Sequence, residues 1–189
     1  IENIKKNKKI PLLGSVARFH PQKDHKNLFQ ALNLLKINKI FFKCVLVGHN
    51  INAKNKLLIK MIKKFNLSKE VILLGPKRNI NQIMNVIDIH ILASEYGEAF
   101  PNVVAEAMAC GTPCVVTDVG DSSLIVGKTG WIVRPSDSKG LAYSIKKAIK
   151  KSQSKSWRLF CYTARKRIVN KFSLSKMINN YNKIWNQIS

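Results

Sequence analysis

The chain has 189 residues, 46% hydrophobic and 23% charged, with 33 Lys and Arg against 10 Asp and Glu, a formal net charge of +23. That length suits one cored domain with a modest appendage, and no run of about 18 apolar residues offers a transmembrane helix. The four cysteines, Cys44, Cys110, Cys114 and Cys161, make no C-x-x-C pair. Gly-Thr-Pro between Cys110 and Cys114 argues against a zinc clip, so all four are expected to be buried free thiols of a reducing compartment.

The opening stretch IENIKKNKKIPLLG spreads its charge and leads into no apolar h-region, so it does not read as a signal peptide. With no Met before the bulky Ile1, the chain is expected to be cut from something longer. Residues 10–18, IPLLGSVAR, predict a buried strand, and KNLFQALNLLKI after it predicts a helix. FFKCVLVG (41–48) predicts a second strand, followed by an amphipathic helix across 52–66. VILLG (71–75) is a third strand and INQIMNV a short helix. IDIHILAS (87–94) is a fourth, followed by a helix through NVVAEAMAC. PCVVTD (113–118) and GWIVRP (130–135) complete six strands, with a helix over 138–152 after the last. From Ser154 the pattern is one or two helices, broken near NKFSLSKM, where Ser173 is placed to cap the final one.

Repeated β-α alternation with continuously apolar strands predicts an α/β fold: a Rossmann-like, doubly wound parallel sheet covered on both faces. The domain is read as residues 1–153 and the helical tail as 154–189. In such sheets ligands bind beyond the carboxyl ends of the strands. The loops that end there are Arg18 to Lys23, Gly48, Gly75-Pro76-Lys77-Arg78, and Ser94 to Asn102.

The turn ARFHPQKDH places Arg18 and Lys23 before a helix N-terminus, which suits a phosphate or diphosphate; the alternative is a pair of surface cations. Neither G-x-G-x-x-G nor G-x-x-x-x-G-K-[ST] occurs. Acids are scarce, so Glu98 and Glu106 in GEAFPNVVAEAMACGTPCVVTD carry information. On one continuous helix they would lie about 80° and about 12 Å apart. Pro101 reads as an N-terminal helix residue, leaving Glu98 in the loop and Glu106 on the second turn. Their carboxylates suit vicinal hydroxyls of a sugar, and an anion at the same helix end would take the amides of Asn102 and Val103. The alternative is dipole compensation by Glu98 and a solvent-facing Glu106. The lysines, interleaved with Asn and Ile, form solvated helix faces or meet an anionic partner such as acidic headgroups. Aromatics are not interleaved with them as nucleic-acid stacking needs.

The stretch EAFPNVVAEAMACGTPCVVTDVG resembles the E-x7-E region of family 4 retaining glycosyltransferases, and VARFHPQKDHKNLFQAL resembles that family's phosphate-binding R-x4-K turn. The resemblance covers most of residues 10 to 150, with two motifs in register. It implies the C-terminal, donor-binding half of a two-domain GT-B enzyme. A nucleotide-sugar donor with UDP as the expected nucleotide, no required metal or other cofactor, and retention at the anomeric carbon go with it. Carried over, Arg18 and Lys23 would neutralise the donor diphosphate, Glu98 would hold sugar hydroxyls, and Glu106 the ribose. Phe100, Pro101, Asn102 and Val103 would present backbone amides, and Gly75, Lys77 and Arg78 would lie near the base. On that division of roles Glu98 would matter little to UDP alone.

This sequence departs from the family pattern at Ala17, Asp24 and Ala99, each where Gly is frequent, and at Leu124, where many relatives carry Glu. Positive φ at Ala99 would cost about 1 kcal/mol. The expected acceptor is a lipid-linked or surface glycan, held by an N-terminal half to which the tail crosses back. The expected place is cytoplasmic, peripheral to the inner face of the membrane, with an anionic membrane surface as a further candidate partner and nucleic acid not expected. The alternatives are a basic module for nucleic acid or acidic membranes, and a GT-B epimerase or phosphorylase; no motif for a pyridoxal lysine is present.

Overall fold

The structure, a computed structural model, describes residues 10–188; the stretch before Ile10 and the terminal Ser189 lie outside the described residues. Its strands are β1 (Leu12–Val16), β2 (Lys43–Val47), β3 (Val71–Gly75), β4 (Ile89–Leu92), β5 (Cys114–Thr117) and β6 (Trp131–Val133). They form one parallel sheet in the order β3-β2-β1-β4-β5-β6. The helices are α1 (His25–Ile37), α2 (Lys56–Lys64), α3 (Ile80–Val86), α4 (Asn102–Ala109), α5 (Ser122–Val126), α6 (Ser138–Ser152), α7 (Trp157–Phe172) and α8 (Leu174–Ile188). This is the doubly wound, Rossmann-like α/β fold expected.

Alternation along the strands divides the core into two layers. Leu13, Leu46, Ile91 and Val115 pack with Leu28 and Leu32 of α1, Leu58 of α2 and Ile145 of α6. Leu12, Val45, Leu92 and Val116 point the other way, onto Met84 of α3, Val104 of α4, Ile125 of α5 and Ile168 of α7. Both faces are covered, so the strands read as unbroken apolar runs.

Several boundaries shift for local reasons. The helix expected across 52–66 begins at Lys56, because Asn55 accepts a hydrogen bond from the Leu58 amide at 3.1 Å and caps it. The short α5 was not legible as a helix; it buries Ile125 and Val126 over β5 and β6. Cys44 and Cys114 are buried free thiols, pushed up in pKa by desolvation, Cys44 to about 12. Cys110 and Cys161 are half-buried instead, since both lie where α4 and α7 meet solvent.

The two tail helices behave differently. α7 packs on α4, with the Phe160 ring 5.3 Å from Trp131 and Phe172 5.7 Å from Phe100. Arg167 donates to the carbonyls of Ile125 (2.8 Å) and Leu124 (2.6 Å), satisfying the end of α5. Ser173 then adopts an extended conformation, and its hydroxyl accepts from the Lys176 amide at 3.3 Å, capping α8. Along α8, Leu174, Met177, Ile178, Tyr181, Ile184 and Trp185 make one apolar stripe, each residue between 46% and 75% exposed.

Candidate functional site

Strand order reverses between β1 and β4, which are neighbours although 72 residues lie between Val16 and Ile89 in the chain. Loops leaving adjacent strands at such a point diverge to opposite faces and open a crevice. The loop after β1 carries Arg18 and Lys23; the loop after β4 carries Glu98.

The first loop is held from below by Phe19, whose amide donates to the His49 carbonyl at 2.9 Å. His20 Nδ1 accepts from the Gln22 amide at 3.3 Å and starts a 3-10 turn over Pro21–Lys23. Asp24 ends that turn in the left-handed region, φ 37°. A short acid tolerates this conformation because its side chain bonds locally; here its carboxylate accepts from the Asn27 amide at 3.0 Å and caps α1. Replacement of a frequent Gly by Asp24 therefore costs the turn little.

The second loop turns at Gly97, φ 71°, and then runs beneath Gly120. A Cβ on Gly120 would lie 2.1 Å from the Glu98 carbonyl oxygen, so the backbone approaches closely there. The Asp121 amide donates to the Ala99 carbonyl at 2.8 Å. Ala99 is not among the described residues of positive φ. The left-handed position is Gly97, two residues earlier, and the strain expected at Ala99 does not arise.

These two loops meet in an ion pair between Lys23 Nζ and Glu98 Oε1, with side chains only 16% and 8% exposed. The same carboxylate oxygen accepts from the Ser94 hydroxyl at 2.5 Å. Ser94 is itself held by its carbonyl, which accepts from Thr117 Oγ1 at 2.6 Å. Burial makes such a pair sensitive to the loss of either partner. The sequence reading set a basic turn opposite an acidic loop; in the structure the two touch.

Gln22 is a second link. Its Nε2 donates to the Gly97 carbonyl at 2.6 Å, its Oε1 accepts from Arg18 Nη2 at 3.3 Å, and its own carbonyl accepts from the Glu95 amide at 2.9 Å. Nothing in a lone sequence marks Gln22; Ser94 is visible only as part of the loop.

The remaining candidates lie around this centre. Pro101 precedes α4 and places no side-chain cap on it, leaving Asn102 and Val103 in the first turn. The Phe100 side chain is turned toward Phe172. Glu106 is exposed on the second turn of α4. Gly75, at φ 68°, ends β3, and Lys77 and Arg78 are exposed beyond it, two strands away from β1. Neither Glu106, Lys77 nor Arg78 is joined to Lys23 or Glu98 by a hydrogen bond or ion pair among the described residues. Two histidines are buried beside the loop after β1: His90 touches Val16 and the His25 ring lies 5.2 Å from Phe19. Desolvation holds His90 at about 3, where its Nε2 accepts from the Val16 amide at 3.3 Å. Desolvation, with the Lys23 charge, holds His25 at about 4. Among the described residues, no group of three or more His, Cys, Asp or Glu is placed to hold a metal ion, and no helix is long and apolar enough to cross a membrane.

The family model of glycosyl transferases, group 1, matches residues 1–167. Among curated relatives, a putative glycosyltransferase EpsF of Bacillus subtilis is 34% identical over 107 residues, 57% of this chain and 27% of the relative. The Escherichia coli UDP-Gal:alpha-D-GlcNAc-diphosphoundecaprenol alpha-1,3-galactosyltransferase is 24% identical over 168 residues, 87% of this chain and 42% of the relative. The chain thus spans less than half the length of these two proteins. The crystal structure of Anabaena Alr3699/HepE in complex with UDP-glucose superposes with a TM-score of 0.80 at 23% identity, covering 94% of this chain and 49% of that one. At that identity the likeness is one of fold.

Proposed function

The chain belongs to the group 1 glycosyl transferases, and on that footing we propose that it is the donor-binding half of an enzyme that transfers sugar from a UDP-sugar to a lipid-linked or surface-polysaccharide acceptor, with retention. The observation that carries this reading is the meeting of the Arg18–Lys23 turn and the Glu98 loop where strand order reverses. Cations, a helix N-terminus and a nearly buried carboxylate converge there, which suits a diphosphate joined to a polyol.

In this reading the bond between the sugar's anomeric carbon and the diphosphate oxygen breaks, and the electron pair leaves with UDP. Arg18 and Lys23 stabilise that developing charge, the largest contribution this half makes to the rate. Glu98 holds donor-sugar hydroxyls. Glu106 takes the ribose, the backbone amides from Phe100 to Val103 serve sugar and phosphate, and Gly75, Lys77 and Arg78 stand near the base. An acceptor hydroxyl forms the new bond on the face the diphosphate leaves, and its proton departs with the leaving group. No metal is assigned a role, because the cations supply the countercharge.

The acceptor belongs to the part of the enzyme beyond this chain, so the isolated chain binds nucleotide and transfers little. We assign residues 1–153 to donor binding and, within the tail from residue 154, the exposed stripe of α8 to contact with that other part, since α7 is packed on this domain. The enzyme works on the cytoplasmic face of the membrane, held peripherally. This follows the galactosyltransferase relative, whose name gives a diphosphoundecaprenol-linked substrate, and the basic surface of the present chain.

Calorimetric titration of the folded chain with UDP, ADP, GDP, UDP-sugars and free hexoses, with and without a chelator, tests the proposal. UDP binding that survives chelation, with no binding of free hexose, is the expected result. Absence of binding by every nucleotide would end it, and a strict need for a divalent ion would count against the family's metal-free chemistry. A nucleic-acid module would instead show salt-sensitive DNA binding that persists in Glu98→Ala.

A further inference from the structure

We infer that Gln22 is a positioning residue that locks the Glu98 loop in register with the Arg18–Lys23 turn, and so acts on the donor sugar through Glu98. The functional half of this inference rests on the donor-binding reading above; the structural half does not.

A glutamine amide has a donor end and an acceptor end, and the two cannot be exchanged without loss. Here the acceptor end faces the guanidinium of Arg18 and the donor end faces the Gly97 carbonyl, at 3.3 and 2.6 Å. The Gln22 main chain adds a third tie, accepting from the Glu95 amide at 2.9 Å. Gly97 is in the left-handed region, and a Cβ there would come within 3.1 Å of Gln22 Nε2. The loop is therefore shaped around this amide. Glu98, the next residue, is fixed on its other side by Ser94 and Lys23. Glu98 alone cannot hold the loop through Lys23 once a diphosphate competes for that ammonium. The Gln22 bond to the Gly97 carbonyl takes no part in that competition, although Arg18, its other side-chain partner, does. It keeps the loop in place while Lys23 changes partner.

The side-chain bonds are removed with little change of volume by Gln22→Leu, and hydrogen exchange on the unliganded chain reads the result without reference to any ligand. Amides of Glu95 and Asp121, whose bonds to the Gln22 and Ala99 carbonyls dock the loop, should exchange about 5-fold faster, the effect of one net hydrogen bond, while those of β1 and β4 change less. Unchanged exchange at Glu95 and Asp121, or acceleration spread evenly over the sheet, overturns the inference. The second measurement is the ratio of UDP-glucose to UDP affinity in the wild type, Gln22→Leu, Glu98→Gln and the double variant. The ratio should fall in each single variant, and the double should lose no more than Glu98→Gln alone. Additive losses would show that Gln22 does not act through Glu98. Should the wild type bind no UDP, the donor reading fails, and the exchange experiment alone decides whether Gln22 holds the loop.

Discussion

α7 and α8 are neighbouring helices of 16 and 15 residues, both without an acid, and they meet opposite fates. α7 turns Ala164 and Ile168 into the core, lays Phe160 and Phe172 on aromatic partners, and spends Arg167 on the carbonyls of α5. α8 concentrates its apolar residues in one stripe and leaves Leu174, Met177, Ile178, Tyr181, Ile184 and Trp185 each at least 46% exposed. Amphipathicity alone does not decide burial: the sharper stripe is the exposed one. What separates them is whether a complementary surface exists within the chain, and α4 supplies one only to α7. A contiguous exposed apolar stripe of this kind marks a surface that expects a partner.

The strongest way to break this comparison is by charge insertion. Ile168→Asp should destabilise the chain by more than about 3 kcal/mol, because it empties a packed position and buries a charge. Ile184→Asp on α8 should change stability by less than about 0.5 kcal/mol, as a substitution on an uncovered surface does. Thermal or urea unfolding of both variants decides it; equal losses would mean α8 is packed after all.

Acid should divide the regions next. His25 and His90 lie in the packed body, and burial holds them at about 4 and about 3 against an ordinary 6.5. Their folded values are depressed, so stability is full above pH 6.5. It declines as the unfolded chain takes up protons below that, flattening only near pH 4 for His25 and pH 3 for His90. Near pH 5 the loss should amount to about 2 kcal/mol per histidine. α8 has no histidine or acid, and truncation after Ser173 should leave this profile in place. His90→Asn should flatten part of it, measured as the melting temperature between pH 4 and 8.

The crevice offers the third test. Arg18→Ala or Lys23→Ala should weaken UDP by about 1.5–3 kcal/mol, the range for hydrogen bonds to charged groups, whereas α8 variants should leave UDP affinity untouched. Calorimetry at two salt concentrations separates these from general surface charge.

The smallest effect is the one the structure revises. Resemblance alone implied that Glu98 is indifferent to UDP. Since Glu98 engages the Lys23 ammonium directly, Glu98→Gln should free that cation and tighten UDP by a few-fold, about 1 kcal/mol, because the buried cation left behind gains a new anionic partner in the diphosphate. Affinity for the UDP-sugar should not rise with it. A weaker UDP complex in Glu98→Gln would show instead that the carboxylate orients Lys23 for phosphate.

Much of this molecule was legible in the amino-acid order. Apolar runs of strand length, such as VILLG and PCVVTD, read correctly because a parallel sheet buried on both faces leaves no polar face to disguise them. The register of R-x4-K with E-x7-E marked the loops that meet, because each motif begins in the loop that follows a strand. Ser173 read as a cap because capping depends on neighbours three residues away, which a linear sequence contains. Three features needed the tertiary structure. The short α5 has too few residues for a period to appear, and is stabilised by packing of Ile125 and Val126. The left-handed turn at Gly97 rather than Ala99 follows from the close pass beneath Gly120, a residue more than twenty positions away. The contact of Lys23 with Glu98, and the seat of Gln22 between Arg18 and Gly97, depend on β1 lying beside β4. Local propensity and period are properties of consecutive residues, so the sequence by itself determined the elements and the residue types at their ends. Strand order is a property of how the elements pack, and only the folded sheet decided which of those ends would touch.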